Sequence, residues 1–424
     1  MRASLQQLFY EIRTSYWFLP SLMVLAALVL SQFSIWVDRT VGSEWLDRFW
    51  FASMNQPAGA RALLATVAGS MITVAGVTFS LTILAVSHAT SNFGPRLFDN
   101  FMRDRGNQIT LGTFVATFLY CLLVLRVVRG EVESVHHASE SAFIPQLSIL
   151  LALALTVASV AVLIYFIHHV PESIHISTVL QNLAEDMWTK MDELYPEGVG
   201  ESSNHHDQAA CDESMSFNQK ILAPRGGYLQ GIDDLALMSL AKTHDVVIRL
   251  TRRPGDFIRR FELIAETTAS AEDAEDVDQI QQSICDSFVF GFSRTPTQNM
   301  FFVLNEFVEV AMRALSPGVN DPFTAMQCID WLSEGLVQLS RRTMPSPFRL
   351  DDRGDLRIVT TAVTYNDFVD LMVSQLIPYV CQDQNAQAYF IDSLRRVIAI
   401  SQNKELNHLI SEQIESLQSG NHGQ

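Results

Sequence analysis

Four long apolar stretches dominate the first 170 residues and constrain everything else. They run from about Trp17 to Val37, Ala62 to His88, Ile109 to Val128 and Phe143 to Ile167. A helix needs about 20 apolar residues to cross the hydrocarbon of a bilayer, where every backbone N–H and C=O must be paired internally. The pattern predicts an α-helical membrane domain of about four transmembrane helices within residues 1–170. The first stretch is too long for a signal-peptide core, carries a Trp at each end and is followed by no small-residue cleavage site, so it reads as a retained span. Trp17, Trp36, Trp45 and Trp50 are placed as interfacial anchors.

Charge separates the two parts of the chain. Residues 1–167 hold 10 Arg, no Lys and 9 acids, so the formal net charge of −17 resides entirely in residues 168–424. Such an acidic part keeps itself soluble and is repelled by nucleic-acid phosphates, which argues against DNA or RNA as a partner and leaves cations as the compatible one. The loop arginines are nearly balanced between the two sides: Arg2, Arg13, Arg96, Arg103 and Arg105 against Arg39, Arg48, Arg61 and Arg129. The acidic loop Glu131–Glu140 and five scattered cysteines, none in a CxxC pair or a zinc spacing, favour both termini in the cytoplasm of a bacterial inner (plasma) membrane. No Asp, Glu or Lys falls inside the four stretches as bounded here, which argues against a proton-coupled carrier.

The second stretch carries a pattern of its own. Ala62, Thr66, Gly69, Thr73, Gly76, Ser80, Ile83 and Ser87 recur in steps of four and three, on one face of a helix, and all but Ile83 are small or hydroxylic. Small residues let helices approach closely in lipid. The same stripe, assembled around an axis from several copies, would line a path with hydroxyls that replace part of a solute's water shell. Both readings predict association through this face, hence a homo-oligomer. Gly94-Pro95 then breaks the helix, and Arg96, Arg103 and Arg105 alternate with Phe98, Phe101 and Met102 as an amphipathic elbow at the headgroups. The histidine pairs at 136/137, 168/169 and 205/206 lack further ligands at fixed spacing, so no metal site is expected.

After a helix over about 174–194 and a polar linker to 218, residues 219–268 read as a small β-rich, barrel-like module. Its strands are near 221–223, 227–232, 245–250, 257–258 and 261–264, with a helix over 233–242 and a turn at Arg253-Pro254-Gly255-Asp256. The order is similar to that of barrel-sandwich modules that carry lipoyl or biotinyl groups. No Lys sits in a carrier-type hairpin, so no cofactor is expected. Residues 269–418 read as mainly helical: one helix beginning at Thr295-Pro296 with Gln298 after the cap, another beginning at Asp321-Pro322, a β-hairpin over 348–359 around Arg353-Gly354-Asp355, and helices over 366–377 and 385–417. The fold class expected is thus a membrane helix bundle followed by an α+β cytoplasmic domain.

Two segments stand out: Arg294-Thr295-Pro296-Thr297-Gln298, and the run from Ala311 to Ala325 containing Arg313-Ala314-Leu315-Ser316-Pro317-Gly318-Val319-Asn320-Asp321-Pro322. With the loop Phe93–Gln108, the Gly227–Asp233 segment and the Arg253–Phe257 turn, they resemble the signature of a large bacterial family of predicted membrane proteins classed only as a domain of unknown function. That resemblance implies four membrane helices and a cytoplasmic C-terminal domain, and no reaction. Asn299 stands where it leads one to expect an acid. Arg294, Gln298, Asn320, Asp321 and Asp330 form the candidate polar cluster, to converge as a site or to cap helices.

No P-loop, Gly-x-Ser-x-Gly, His-Glu-x-x-His or kinase motif is present, and no enzyme is expected. A homo-oligomeric channel or conduit for ions or small solutes, lined by the second membrane helix, is the leading expectation. A membrane-anchored sensor or scaffold, whose C-terminal domain binds a ligand or protein, is the alternative.

Overall fold

The computed structural model describes residues 15–40, 57–94, 104–128, 143–195, 215–269 and 274–419. They fall into two compact units, one within Phe9–Thr178 and the other within Val179–Gln424. Trp45, Trp50, Arg96, Arg103, most of the linker before residue 218 and the histidine pairs at 136/137 and 205/206 lie outside the described residues.

In the first unit, four helices are long and apolar enough to cross a membrane: α1 (Phe18–Thr40), α2 (Pro57–Phe93), α3 (Arg105–Leu125) and α4 (Gln146–Ser173). Half of the apolar window of α3 is buried, against 22–28% for the others, so α3 is the hub on which they pack. Its Tyr120, Cys121 and Val124 are fully enclosed with Ala27 of α1, Leu64 and Ala68 of α2, and Ile149 and Ala152 of α4, and its Phe114 with Met71 and Ala75 of α2. At 37 residues α2 is about 55 Å long, well beyond the roughly 30 Å of bilayer hydrocarbon. It ends at Gly94, whose φ of +126° only glycine adopts readily.

One sequence reading needs correction. α1 extends past Val37 to Thr40 and so includes Asp38, which is buried. The carboxylate is bearable there because it has a structural task. Pro145 offers α4 no side-chain cap, and Asp38 supplies one from the neighbouring helix, accepting the N–H groups of Leu147 and Ser148 at 3.0 Å. Beside it, Tyr120 donates to the Ser148 carbonyl at 3.1 Å and meets the Ser34 hydroxyl at 2.9 Å. Arg61 of α2 donates to the carbonyl of Val128, just past the end of α3. At the other end of α3, Asp104 caps the helix through Gly106 N–H and pairs with His169 of α4 at 2.8 Å. A Cβ on Gly106 would collide with the His169 ring, so the pair needs glycine there.

The second unit begins with α5 (Ile176–Leu194). The β-rich module follows: β1 (Gln219–Leu222), β2 (Gly227–Ile232), α6 (Asp234–Thr243), β3 (Ile248–Leu250), β4 (Phe257–Ile258) and β5 (Leu263–Thr267). Its strands form open sheets, not a closed barrel. Later segments complete them: β6 (Phe288–Gly291), after α7 (Ala274–Asp286), and the hairpin β7 (Phe348–Leu350) and β8 (Leu356–Val359). One sheet has the order β1-β5-β3-β8-β7, with β3 and β8 parallel, and the other β4-β2-β6. Both sheets share one core, in which Ile221, Ile248, Ile264 and Ile358 of the larger meet Leu229, Ile258 and Phe288 of the smaller, with Leu237 of α6 and Ile284 of α7.

The remaining helices of eight or more residues are α8 (Met300–Ala314), α9 (Pro322–Ser340), α10 (Tyr365–Met372), α11 (Gln384–Ile400) and α12 (Lys404–Ser419), with short helical turns at Ser374–Leu376 and Ile377–Val380. Asp321 caps α9 through Thr324 and Pro322 opens it, as its sequence dictates. The helix expected over 385–417 is two, because Ser401 turns extended and the Asn403 side chain caps the second through Leu406 N–H. The helix expected from Thr295 starts at Met300 with Asn299 as its cap residue. Tertiary bonds win over the local cap: the Thr295 hydroxyl donates to the Gln230 carbonyl, and the Gln298 amide brackets Ile232, accepting its N–H at 2.8 Å and donating to its C=O at 3.0 Å.

Candidate functional site

On α2 the buried positions are Ala60, Leu64, Ala68, Met71 and Ala75, which pack against α3 and its neighbours, and Thr78, Thr82, Val86 and Ala89 on the same face. Thr66, Gly69, Thr73, Gly76, Ser80 and Ser87 are exposed on the opposite side. A Cβ added at Gly69 or Gly76 would meet nothing within 4 Å. The small and hydroxylic stripe therefore points away from its own bundle, and the other described helices of this unit do not cover it. From Thr66 to Ser87 it spans about 32 Å, the thickness of the bilayer hydrocarbon. Two hydroxyls are turned onto their own helix: Thr73 donates to the Gly69 carbonyl at 2.8 Å and Ser80 to the Gly76 carbonyl at 2.9 Å. With the protons so engaged, the free valence of each oxygen toward the outside is a lone pair. Arg105, the described member of the arginine elbow, is exposed in the first turn of α3.

The candidate polar cluster of the second unit does not converge. Gln298 is bound to Ile232 as described above. Asn320 takes a left-handed φ of +50° in the turn before α9, and Asp321 caps that helix. Asp330 accepts a hydrogen bond from the Tyr389 hydroxyl at 2.7 Å on an exposed face. Of these residues, Arg294 borders a described concave surface. It lines an open cleft of about 290 Å³ together with the Arg253–Asp256 turn, Asn299, Phe301 and Asn305 of α8, and Asn366, Asp367, Asp370, Leu371 and Gln375 of the α10 segment.

The cleft is rigidly framed. Arg253 pairs with Asp367 at 3.3 Å and lies 4.9 Å over the Phe301 ring. Asp367 is also the third residue of a capping box with Thr364, and the Thr364 bonds together with Arg253 hold its carboxyl below the usual range despite partial burial. Asp256 accepts the Arg253 N–H at 3.1 Å, closing the turn. Gly255 has a φ of +100°, and a Cβ there would overlap the Asn299 amide. The Arg294 guanidinium stacks 5.3 Å from the Tyr228 ring centre. Among the described residues no group of three or more His, Cys, Asp or Glu is arranged to hold a metal ion.

Four apolar helices followed by this α+β unit are the architecture that the resemblance led one to expect. The family described as a predicted membrane protein (DUF2254) matches residues 13–396. The chain belongs to that family. This DUF2254 protein is 35% identical over 314 residues to an uncharacterized protein of Mycobacterium bovis and to one of Mycobacterium tuberculosis. The match covers 73% of this chain and 58% of each relative, so the chain spans little more than half their length. No solved structure matches.

Sequence reading missed most of the cleft. The Arg253–Asp256 turn and the Arg294–Asn299 segment stood out as motifs, but nothing local tied them together. Asn366 to Gln375 carried no signal beyond helix periodicity.

Proposed function

We propose that this DUF2254 protein is a non-catalytic, homo-oligomeric conduit for ions or small solutes in the inner (plasma) membrane of a bacterium, its path lined by α2. One observation carries the reading: the stripe Thr66, Gly69, Thr73, Gly76, Ser80 and Ser87 is turned outward from a bundle whose own core is filled. Phe114, Tyr120 and Leu64 occupy that core without solvent exposure, so a path through one chain is blocked and a path between copies is the alternative. Outward lone pairs on Thr73 and Ser80 suit a partly dehydrated cation better than an anion, because they stand in for the oxygens of its water shell. The excess of acids in residues 168–424 raises the local concentration of cations in the same sense. Both termini are assigned to the cytoplasm, and the unpaired thiols of Cys285, Cys328 and Cys381 support this. The test is cation flux through the purified protein in liposomes, with Ser80→Ala measured alongside.

A second reading, a membrane-anchored sensor or scaffold, is favoured by the polar cleft in the second unit, and it does not exclude the first.

A further inference from the structure

The cleft of the second unit contains a polar side chain with no hydrogen-bond partner among the described residues. Asn299 is only 6% exposed, yet its amide makes no capping bond and no other hydrogen bond among the described residues, although it sits at the cap position of the 15-residue helix α8. Ser, Thr, Asp or Asn at a cap normally satisfies a helix N–H, so an amide that caps nothing and opens on the cleft is left to meet a ligand. Here the amide borders the cleft, where the first N–H groups of α8 lack partners within the helix.

The charges nearby are unequal in availability. Asp256 is used by the turn, and Asp367 by its capping box and by Arg253, while Asp370 stands exposed at the rim. Arg294 makes no ion pair among the described residues and is held in place by stacking on Tyr228. An unpaired guanidinium, a buried free amide and a helix N-terminus all donate hydrogen bonds or favour negative charge.

We propose that this cleft binds a small ligand through an oxyanion, a carboxylate or phosphate group seated between Arg294 and Asn299 at the start of α8. Phe301, stacked under Arg253, forms the apolar wall for the rest of the ligand. This assignment is independent of the conduit reading, and its test measures binding rather than flux.

The experiment is calorimetric titration of the full chain in detergent with inorganic phosphate and, separately, with acetate, at constant ionic strength in chloride. Saturable binding of at least one probe is expected. Arg294→Gln, a change at an exposed side chain, weakens it about tenfold or more, the loss of one charge-assisted hydrogen bond. Asn299→Asp, which places a negative charge in the seat, abolishes it at an unchanged melting temperature. Phosphate alone binding assigns the seat to phosphate esters, and acetate alone to carboxylates. No saturable binding of either probe overturns the proposal, as does equal binding by wild type and Arg294→Gln. Should Asn299→Asp fail to fold, the Arg294→Gln result decides by itself.

Discussion

Asp38 on α1 and Ser148 on α4 are joined twice: one carboxylate oxygen accepts the Ser148 hydroxyl at 2.6 Å and the Ser148 backbone N–H at 3.0 Å. The start of one membrane helix is thereby capped by the end of another. Removing the carboxylate strands two N–H groups and a hydroxyl in a buried place. Asp38→Ala is expected to destabilise the purified protein by about 2 kcal/mol, the upper range for a lost N-cap, and to lower its melting temperature. An unchanged melting temperature would show that solvent satisfies α4 instead.

The Gly255 turn makes a second, independent stability prediction. Its positive φ and the Asn299 amide beside it both exclude a side chain. Gly255→Ala is expected to cost about 1–3 kcal/mol in thermal or denaturant unfolding. Gly354→Ala, which also has a positive φ but meets nothing within 4 Å, pays only for its backbone. Equal effects of the two substitutions would mean that the contact with Asn299 contributes nothing.

Acid should weaken the second unit through Asp351. The hydrogen bond from Arg357, at 2.8 Å, and those from the N–H groups of Arg353 and Asp355 hold its carboxyl down at about 2, against an ordinary 3.8. A group whose pKa is lowered on folding adds stability above its unfolded pKa and loses it as pH falls toward the folded value. Stability in denaturant titrations is therefore expected to decline from about pH 4 toward pH 2, and the decline should be shallower in Asp351→Asn. The same slope in both proteins would assign the acid sensitivity to other carboxylates.

Much of this architecture was legible in the sequence, and the exceptions share a cause. Apolar runs gave the four membrane helices because lipid forces each span to satisfy itself locally. Asp321-Pro322 gave the start of α9 because cap and first turn are adjacent in the chain. The start of α8 was misplaced because Thr295 and Gln298 answer to β2, more than 60 residues earlier. The sheets were incomplete for the same reason: β3 finds its parallel neighbour β8 about 110 residues later, at Ile248–Ile358. Asp38 escaped notice because hydropathy ends a span at the first charge, whereas the helix continues to a partner that neutralises the cost. The cleft joins three distant segments and could not be read from any of them alone.

Association through α2 has its own signature. In a background stripped of native cysteines, Gly76→Cys is expected to form crosslinks between copies in the membrane, and Ala75→Cys, on the buried face, is not. Crosslinking at neither position would leave the stripe facing lipid.

The most direct test of the central claim is cation flux into liposomes holding the purified protein, read against empty liposomes and against Ser80→Ala. The account predicts flux above the empty control and an altered rate or ion preference when the Ser80 hydroxyl is removed, with the melting temperature unchanged. No flux under varied salt, pH and membrane tension, or flux identical in Ser80→Ala, would contradict a path lined by α2.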